Sequence, residues 1–186
     1  MNKILTLLVS VAFVSIIAFS AYCHRNSSTN VVNTEANSLQ VGNQAYQGED
    51  WTLNNLDGTP VTLSNFQGKP TILVFWATWC PYCKKLLPGI QELHEKYHSQ
   101  GLRILGVNIK EDWKPEVYWR NFGYQFDTVI DGDDVAKIYG VSGTPGIVFI
   151  APSGKVLGVN SFSDPHHPLL ERFAKEGLKL MKQADK

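Results

Sequence analysis

The feature that most constrains the fold is an apolar run leading directly into two cysteines three positions apart. Residues 71–77 read TILVFWA, which is typical of a central strand buried on both faces. Cys80 and Cys83 follow, and Pro81 between them suits the first position of a helix. From Cys83 onward, apolar residues recur at spacings of three and four until Gly101. The pattern predicts a strand–turn–helix unit with both cysteines at the junction.

The rest of the segment 51–183 alternates between strand and helix patterns. Asp57-Gly58 separates two short alternating runs and predicts the turn of a β-hairpin. The remaining strands are predicted at 103–109, 126–131, 146–150 and 155–160, and the remaining helices at 115–122, 133–139 and 166–182. The last helix carries the apolar residues Leu169, Phe173 and Leu180. This order predicts an α/β sandwich with a mixed central sheet and an added N-terminal β-hairpin.

The first fifty residues have a different composition. Residues 4–22 carry no charge, are mostly apolar and follow Lys3, so they can span a bilayer as a helix or serve as a long signal core. Both alternatives imply export. Residues 24–50 are rich in Asn, Ser, Thr and Gln. We therefore predict a signal peptide or membrane anchor over 1–23, a polar linker over 24–50 and one folded domain over 51–183.

Charge and metal-ligand spacing disfavour several classes of protein. Seventeen basic residues balance seventeen acidic ones, so no basic field favours nucleic acid as a partner. A closed zinc site needs four ligands, and no second C-x-x-C or Cys/His pair accompanies Cys80 and Cys83. Residues 94–98 read HEKYH and match H-E-x-x-H, but the extended motif needs a histidine where Ile104 stands. We predict packing histidines and no metal site.

The two cysteines predict redox chemistry. A cysteine at a helix N-terminus has its thiolate stabilised by unpaired backbone N–H groups, and the thiolate is the species that attacks a disulfide. The second cysteine, one helical turn further on, can resolve the mixed disulfide. We therefore predict Cys80 as the nucleophile and Cys83, which belongs to the apolar stripe, as the resolving and more buried thiol. A purely structural disulfide is disfavoured because so short a loop constrains the unfolded chain little.

Several sequence segments together resemble a known family. They are FWATWCPYC over 75–83, the LDG and LSNF segments of the hairpin region, GVN over 106–108, and VSGTP over 141–145. The segment 51–180 is thus similar to the TlpA/ResA/DsbE-like, membrane-linked members of the thioredoxin superfamily. The resemblance implies a thioredoxin-like fold. It also implies no cofactor other than the redox-active Cys80–Cys83 disulfide.

The resemblance also implies further site residues. Pro145 is expected to be a cis-proline beside the disulfide, since proline is the residue for which a cis bond costs little. The substrate groove is expected to be lined by Trp79, Pro81, Tyr82, Thr144 and Pro145.

Two acids common in these relatives are replaced here. Val74 stands where thioredoxin has a buried aspartate, and Leu86 stands where many ResA-like members have a glutamate. Glu111 is the remaining candidate for proton transfer. The alternative is that Glu111 and Asp112 are simply loop charges.

The implied activity is an extracytoplasmic thiol–disulfide oxidoreductase that reduces protein disulfides, held at the inner membrane by its N-terminal segment. The haem-attachment cysteines of apocytochrome c are one candidate substrate, in cytochrome c maturation, and the implied electron donor is a membrane protein of the DsbD/CcdA type. The alternatives are a DsbA-like oxidase, a glutaredoxin and a Sco-like copper chaperone. The Pro-Tyr dipeptide between the two cysteines resembles that of glutaredoxins. A Sco-like chaperone would need C-x-x-x-C. Peroxiredoxins are disfavoured because their cysteine is not part of W-C-x-x-C.

Overall fold

The computed structural model describes residues 50–184. The strands are β1 (Thr52–Asn54), β2 (Pro60–Thr62), β3 (Thr71–Trp76), β4 (Arg103–Asn108), β5 (Asp127–Val129), β6 (Gly146–Ile150) and β7 (Val156–Asn160). The α-helices are α1 (Pro81–Tyr97), α2 (Pro115–Phe122), α3 (Asp133–Ile138) and α4 (Pro168–Ala184). Short 3₁₀ turns cover Leu63–Phe66 and His98–Gln100. The predicted anchor or signal, and all but the last residue of the predicted linker, lie outside the described residues. Within residues 50–184, no helix is long and apolar enough to cross a membrane.

The central sheet is mixed, as predicted, and has the strand order β5-β4-β3-β6-β7. Strand β3 pairs in parallel with β4 and antiparallel with β6, and every one of its residues is buried. Alternate β3 side chains point to opposite faces. Ile72, Val74 and Trp76 pack with α1, α2 and α4, whereas Leu73 and Phe75 pack with α3 and with residues of the hairpin region. The result is an α/β sandwich, which confirms the predicted fold class.

The N-terminal hairpin covers the edge of this sheet. Strands β1 and β2 pair antiparallel around a turn in which Gly58 has a φ of 87°, a left-handed conformation that favours glycine. The carbonyl of Asn54 accepts the N–H of Ile130 at 2.9 Å, and Asn55 forms a bridge to Val129 of β5. The predicted hairpin is therefore confirmed, and its attachment to β5 is an additional finding.

The last helix begins two residues later than its pattern predicts. It begins at Pro168, and the Nδ1 of His167 accepts the N–H of Leu169 at 3.3 Å just before it. Of its three apolar residues named from the sequence, Phe173 is buried, Leu169 is partly buried and packs against the core, and Leu180 is 48% exposed. The other buried residues of the helix are Leu170, Ala174, Gly177 and Leu178.

The small residues of α4 help to orient it against the sheet. A Cβ atom on Gly177 would lie only 2.5 Å from the Cβ of Pro70, so the helix approaches the start of β3 closely there. Close approach at Gly177, together with complete burial of Ala174, fixes the rotation of the helix. A pattern that counts only large apolar residues does not register these two positions.

The C-terminal ends of β3 and β4 lie beside the N-terminal end of β6. Trp76 at the end of β3 pairs with Asn108 at the end of β4, and Phe75 pairs with Gly146 at the start of β6. The loops 77–80, 109–114 and 141–145 therefore leave or enter the sheet side by side. These loops contain most of the site residues that the sequence predicts.

Candidate active site

The two cysteines form a disulfide at the first turn of α1. Cys80 is the N-cap of the helix and Pro81 is its first residue. The Sγ of Cys80 accepts a hydrogen bond from the backbone N–H of Cys83 at 3.0 Å. An N–H group at a helix N-terminus thus points at the Cys80 sulfur, which is the arrangement that stabilises negative charge there.

The burial of the two cysteines corrects one expectation. Cys83 was predicted to be the more buried, but each cysteine is only 1% exposed. The reason is the capping bond, which turns the Cys80 sulfur toward the helix rather than outward. Cys80 belongs to the same buried cluster as Leu86 and Ile90 of the apolar stripe. Relative burial therefore does not distinguish the attacking thiol from the resolving one in the oxidised form.

The residues expected to form the groove come from two segments, one around the cysteines and one just before β6. Trp79 and Tyr82 are 48% and 63% exposed, and Pro81 is exposed as well. In the segment before β6, which pairs with β3, the Thr144–Pro145 peptide bond is cis, as the family resemblance implies. The Pro145 carbonyl accepts a hydrogen bond from the Ser161 hydroxyl at 2.9 Å. The Thr144 hydroxyl is buried and has no hydrogen-bond partner among residues 50–184.

Glu111 is hydrogen-bonded into the loop before the cysteines. Its carboxylate accepts the Thr78 N–H at 2.9 Å, the Thr78 hydroxyl at 2.5 Å and the Asn108 amide at 2.8 Å. The N–H groups of Asp112 and Trp113 donate to the same carboxylate at 3.0 and 3.1 Å. These five bonds show that Glu111 is more than a solvated loop charge.

The same contacts determine the charge of Glu111. Burial acts to raise the pKa of its carboxyl, but the hydrogen bonds from Thr78 and Asn108 outweigh burial and hold the pKa below its usual range. The carboxylate is therefore ionised at neutral pH. Its role in proton transfer stays a prediction. Its bonds to Thr78, two residues before Cys80, give it a direct structural role.

The sequence reasoning missed Lys110. The indole Nε1 of Trp79 donates to the Lys110 carbonyl at 2.7 Å, and the Lys110 ammonium donates to the Ser142 carbonyl at 2.6 Å. Lys110 has a φ of 51°, and its N–H donates to the Asp133 carboxylate. No periodic pattern or motif marks such a residue, because each of its partners is more than twenty positions away.

The H-E-x-x-H match lies on α1, where its two histidines contact each other. The rings of His94 and His98 are 4.4 Å apart between centroids, and His94 lies 6.1 Å from the ring of Phe126. Burial, and secondarily the neighbouring His98, lowers the pKa of His94. Within residues 50–184, no three histidine, cysteine or acidic side chains are grouped so as to hold a metal ion.

Comparisons with known proteins agree with this arrangement. Residues 41–159 match the AhpC/TSA family. The chain is 38% identical over 125 residues to the thiol-disulfide oxidoreductase ResA of Geobacillus thermodenitrificans, which covers 66% of this chain and 70% of that protein. It is 35% identical over 133 residues to ResA of Bacillus subtilis, covering 70% of this chain and 72% of that one.

A solved structure shows the same fold. It is described as a putative thiol:disulfide interchange protein DsbE from Chlorobium tepidum, and it is 29% identical with a TM-score of 0.63. The match covers 76% of this chain and 99% of that one. Family match, relatives and fold agree with the disulfide at the start of α1, and the chain belongs to the TlpA/ResA/DsbE-like thiol–disulfide oxidoreductases of the AhpC/TSA family.

Proposed function

We propose that this oxidoreductase reduces disulfides of proteins outside the cytoplasm, with Cys80 as the attacking thiol. The observation that carries the proposal is the position of the Cys80 sulfur. It caps α1, is bonded to the Cys83 sulfur and lies in a segment with the exposed side chains of Trp79 and Tyr82. This arrangement supplies a stabilised thiolate, a resolving thiol and a surface on which a peptide can lie.

The proposed reaction begins with the reduced protein. The Cys80 thiolate attacks one sulfur of the client disulfide, forming a mixed disulfide and releasing the other client sulfur as a thiolate that takes a proton. The Cys83 thiol loses its proton, and its sulfur then attacks the Cys80 sulfur. The Cys80–Cys83 disulfide forms and the second client thiol leaves. Two electrons and two protons pass to the client in each cycle.

The proposed direction of electron flow is supported by what stabilises the Cys80 thiolate. A strong oxidant needs a heavily stabilised thiolate, because this makes its reduced form the favoured one. The segment 76–82 contains no basic residue or histidine. The ammonium of Lys110 bonds to the Ser142 carbonyl. The helix N-terminus is therefore the main source of stabilisation, which favours a reductant over a DsbA-like oxidase.

The proposed location rests on the apolar run 4–22 and on Lys3 before it. We propose that this segment holds the domain at the outer face of the inner membrane. A reductase there becomes oxidised with each client and needs electrons from across the membrane. A membrane thiol donor of the DsbD/CcdA type meets that need, and apocytochrome c is the proposed client because its haem-attachment cysteines must be reduced.

A single labelling experiment tests both location and direction. In intact spheroplasts carrying the Cys23→Ser chain, a membrane-impermeant maleimide should label Cys80 and Cys83 without any prior reduction. The reason is that an extracytoplasmic reductase is kept reduced by its donor. The readout is the mass shift of the labelled protein, and a chain that also lacks Cys80 and Cys83 is the matched control.

The alternatives give different labelling. If the cysteines react only after treatment with an impermeant phosphine reductant, they are extracytoplasmic but oxidised, and the oxidase alternative replaces the reductase. If they react only after the cells are lysed, the proposed location is wrong.

A further inference from the structure

We propose that Lys110 is a positioning residue that holds the two walls of the substrate groove at a fixed separation. The inference rests on the proposed function, because it concerns the groove in which a client peptide is bound. One wall is the segment with Trp79 just before Cys80, and the other is the segment 142–145 that ends at the cis-proline. Lys110 bonds directly to both.

The contacts run from one wall to the other through a single residue. The Trp79 indole is anchored on the Lys110 carbonyl at 2.7 Å, although about half of the Trp79 side chain remains exposed. The Lys110 ammonium is anchored on the Ser142 carbonyl at 2.6 Å, three residues before Pro145. Within this part of the structure, the lysine side chain therefore spans from the 109–114 loop to the loop before β6.

The backbone of Lys110 is itself held in place. Its φ of 51° is unusual for a residue other than glycine, and the Asp133 carboxylate accepts its N–H at 3.2 Å. The neighbouring Glu111 binds Thr78 on the Trp79 side. The turn at 110–111 thus fixes the origin of the lysine side chain, so that its reach sets the distance between the walls.

This role predicts an effect that depends on the size of the substrate. A protein client must place an extended segment between Trp79 and Pro145, whereas a small disulfide can reach the Cys80 sulfur without filling the groove. Loss of the bond from the Lys110 ammonium to the Ser142 carbonyl should therefore weaken the binding of a protein client and leave the reactivity of the Cys80 thiol unchanged. A residue needed only for folding would affect both substrates equally.

The test compares Lys110→Met with Lys114→Met in the full chain, reduced beforehand and given either insulin or a small aromatic disulfide. Both variants remove one lysine charge from the same loop, but only Lys110 bonds to Ser142. The reduced chain turns over once, so KM here is the insulin concentration that gives half the maximal rate of its oxidation. We expect Lys110→Met to raise this KM about tenfold, as for the loss of one charge-assisted hydrogen bond, with the maximal rate unchanged. The small disulfide should react at the wild-type rate, and Lys110→Arg should restore the KM for insulin.

Other outcomes separate this proposal from the proposed function. If Lys110→Met and Lys114→Met behave alike on insulin while the wild-type chain is active, the positioning role is wrong and the reductase function stands. Equal losses on both substrates, without rescue by arginine, would also overturn the role. A wild-type chain that reduces neither substrate would overturn the proposed function, and the groove role with it.

Discussion

A Cys83→Ser variant is expected to accumulate mixed disulfides with its clients through Cys80, and a Cys80→Ser variant is expected to form none. The capping bond from the Cys83 N–H to the Cys80 sulfur stabilises negative charge on Cys80, so the first attack comes from that sulfur. Without Cys83 the mixed disulfide has no internal resolving thiol. Both variants should lose reductase turnover to the background rate, but only Cys83→Ser should retain covalent partners on non-reducing gels.

The control for this experiment is Cys23→Ser, which leaves both site cysteines in place and should turn over at the wild-type rate. Trapping by Cys80→Ser, with none by Cys83→Ser, would reverse the assigned roles. The trapping experiment is needed because burial does not separate the two roles, each cysteine being 1% exposed in the disulfide form.

A Glu111→Ala variant is expected to lose about 2–4 kcal/mol of unfolding free energy, because buried donors left without an acceptor cost about 1–3 kcal/mol each. Thr78 is 6% exposed and Asn108 is 1% exposed, and both donate to this carboxylate. The loop before Cys80 should loosen as well, so reductase activity should fall with stability. Urea unfolding of the full chain measures the first effect. Asp112→Ala, an exposed neighbour, is the matched control and should change stability by less than about 0.5 kcal/mol.

The effect of pH on this difference has a definite sign. The pKa of Glu111 is lowered by folding, so its contribution is complete above the unfolded value of about 4.3 and is lost as the pH falls through the folded value. The stability gap between wild type and Glu111→Ala should therefore be constant near neutral pH and narrow in acid. A gap that does not change between neutral pH and strong acid would show that the ionised carboxylate is not what stabilises the loop.

The predicted proton-transfer role of Glu111 can be separated from its structural one. Glu111→Gln keeps an oxygen acceptor but cannot accept and release a proton in the same way. A proton carrier predicts a changed pH profile of the reductase rate in this variant. A purely structural role predicts a lower rate with the same profile.

Local patterns were sufficient to predict most of the fold. The run 71–77 predicts β3 because a strand buried on both faces reads as a nearly continuous apolar run. The disulfide at the start of α1 follows from Cys80, Pro81 and Cys83, since the helix start and the redox spacing coincide in one short segment. In both places, the signal lies within one short segment of the sequence.

The parts that sequence patterns did not predict depend on contacts between distant segments. The rotation of α4 is set by Gly177 approaching Pro70, more than a hundred positions away. The inward turn of Cys80 depends on a single sulfur–amide bond, and periodicity does not encode side-chain direction at a helix cap. The bonds of Lys110 to Trp79 and Ser142 join loops that only the completed sheet brings together.

The central claim, a disulfide reductase that works through Cys80 and Cys83, is tested most directly by the reduction potential of this pair. The measurement equilibrates the chain with glutathione buffers of known ratio and reads the fraction reduced. We expect a potential in or below the glutaredoxin range, about −200 mV or more negative, because the helix N-terminus is the main stabiliser of the thiolate. A value near that of DsbA, about −120 mV, would differ by about 4 kcal/mol of two-electron free energy and would contradict the reductase account.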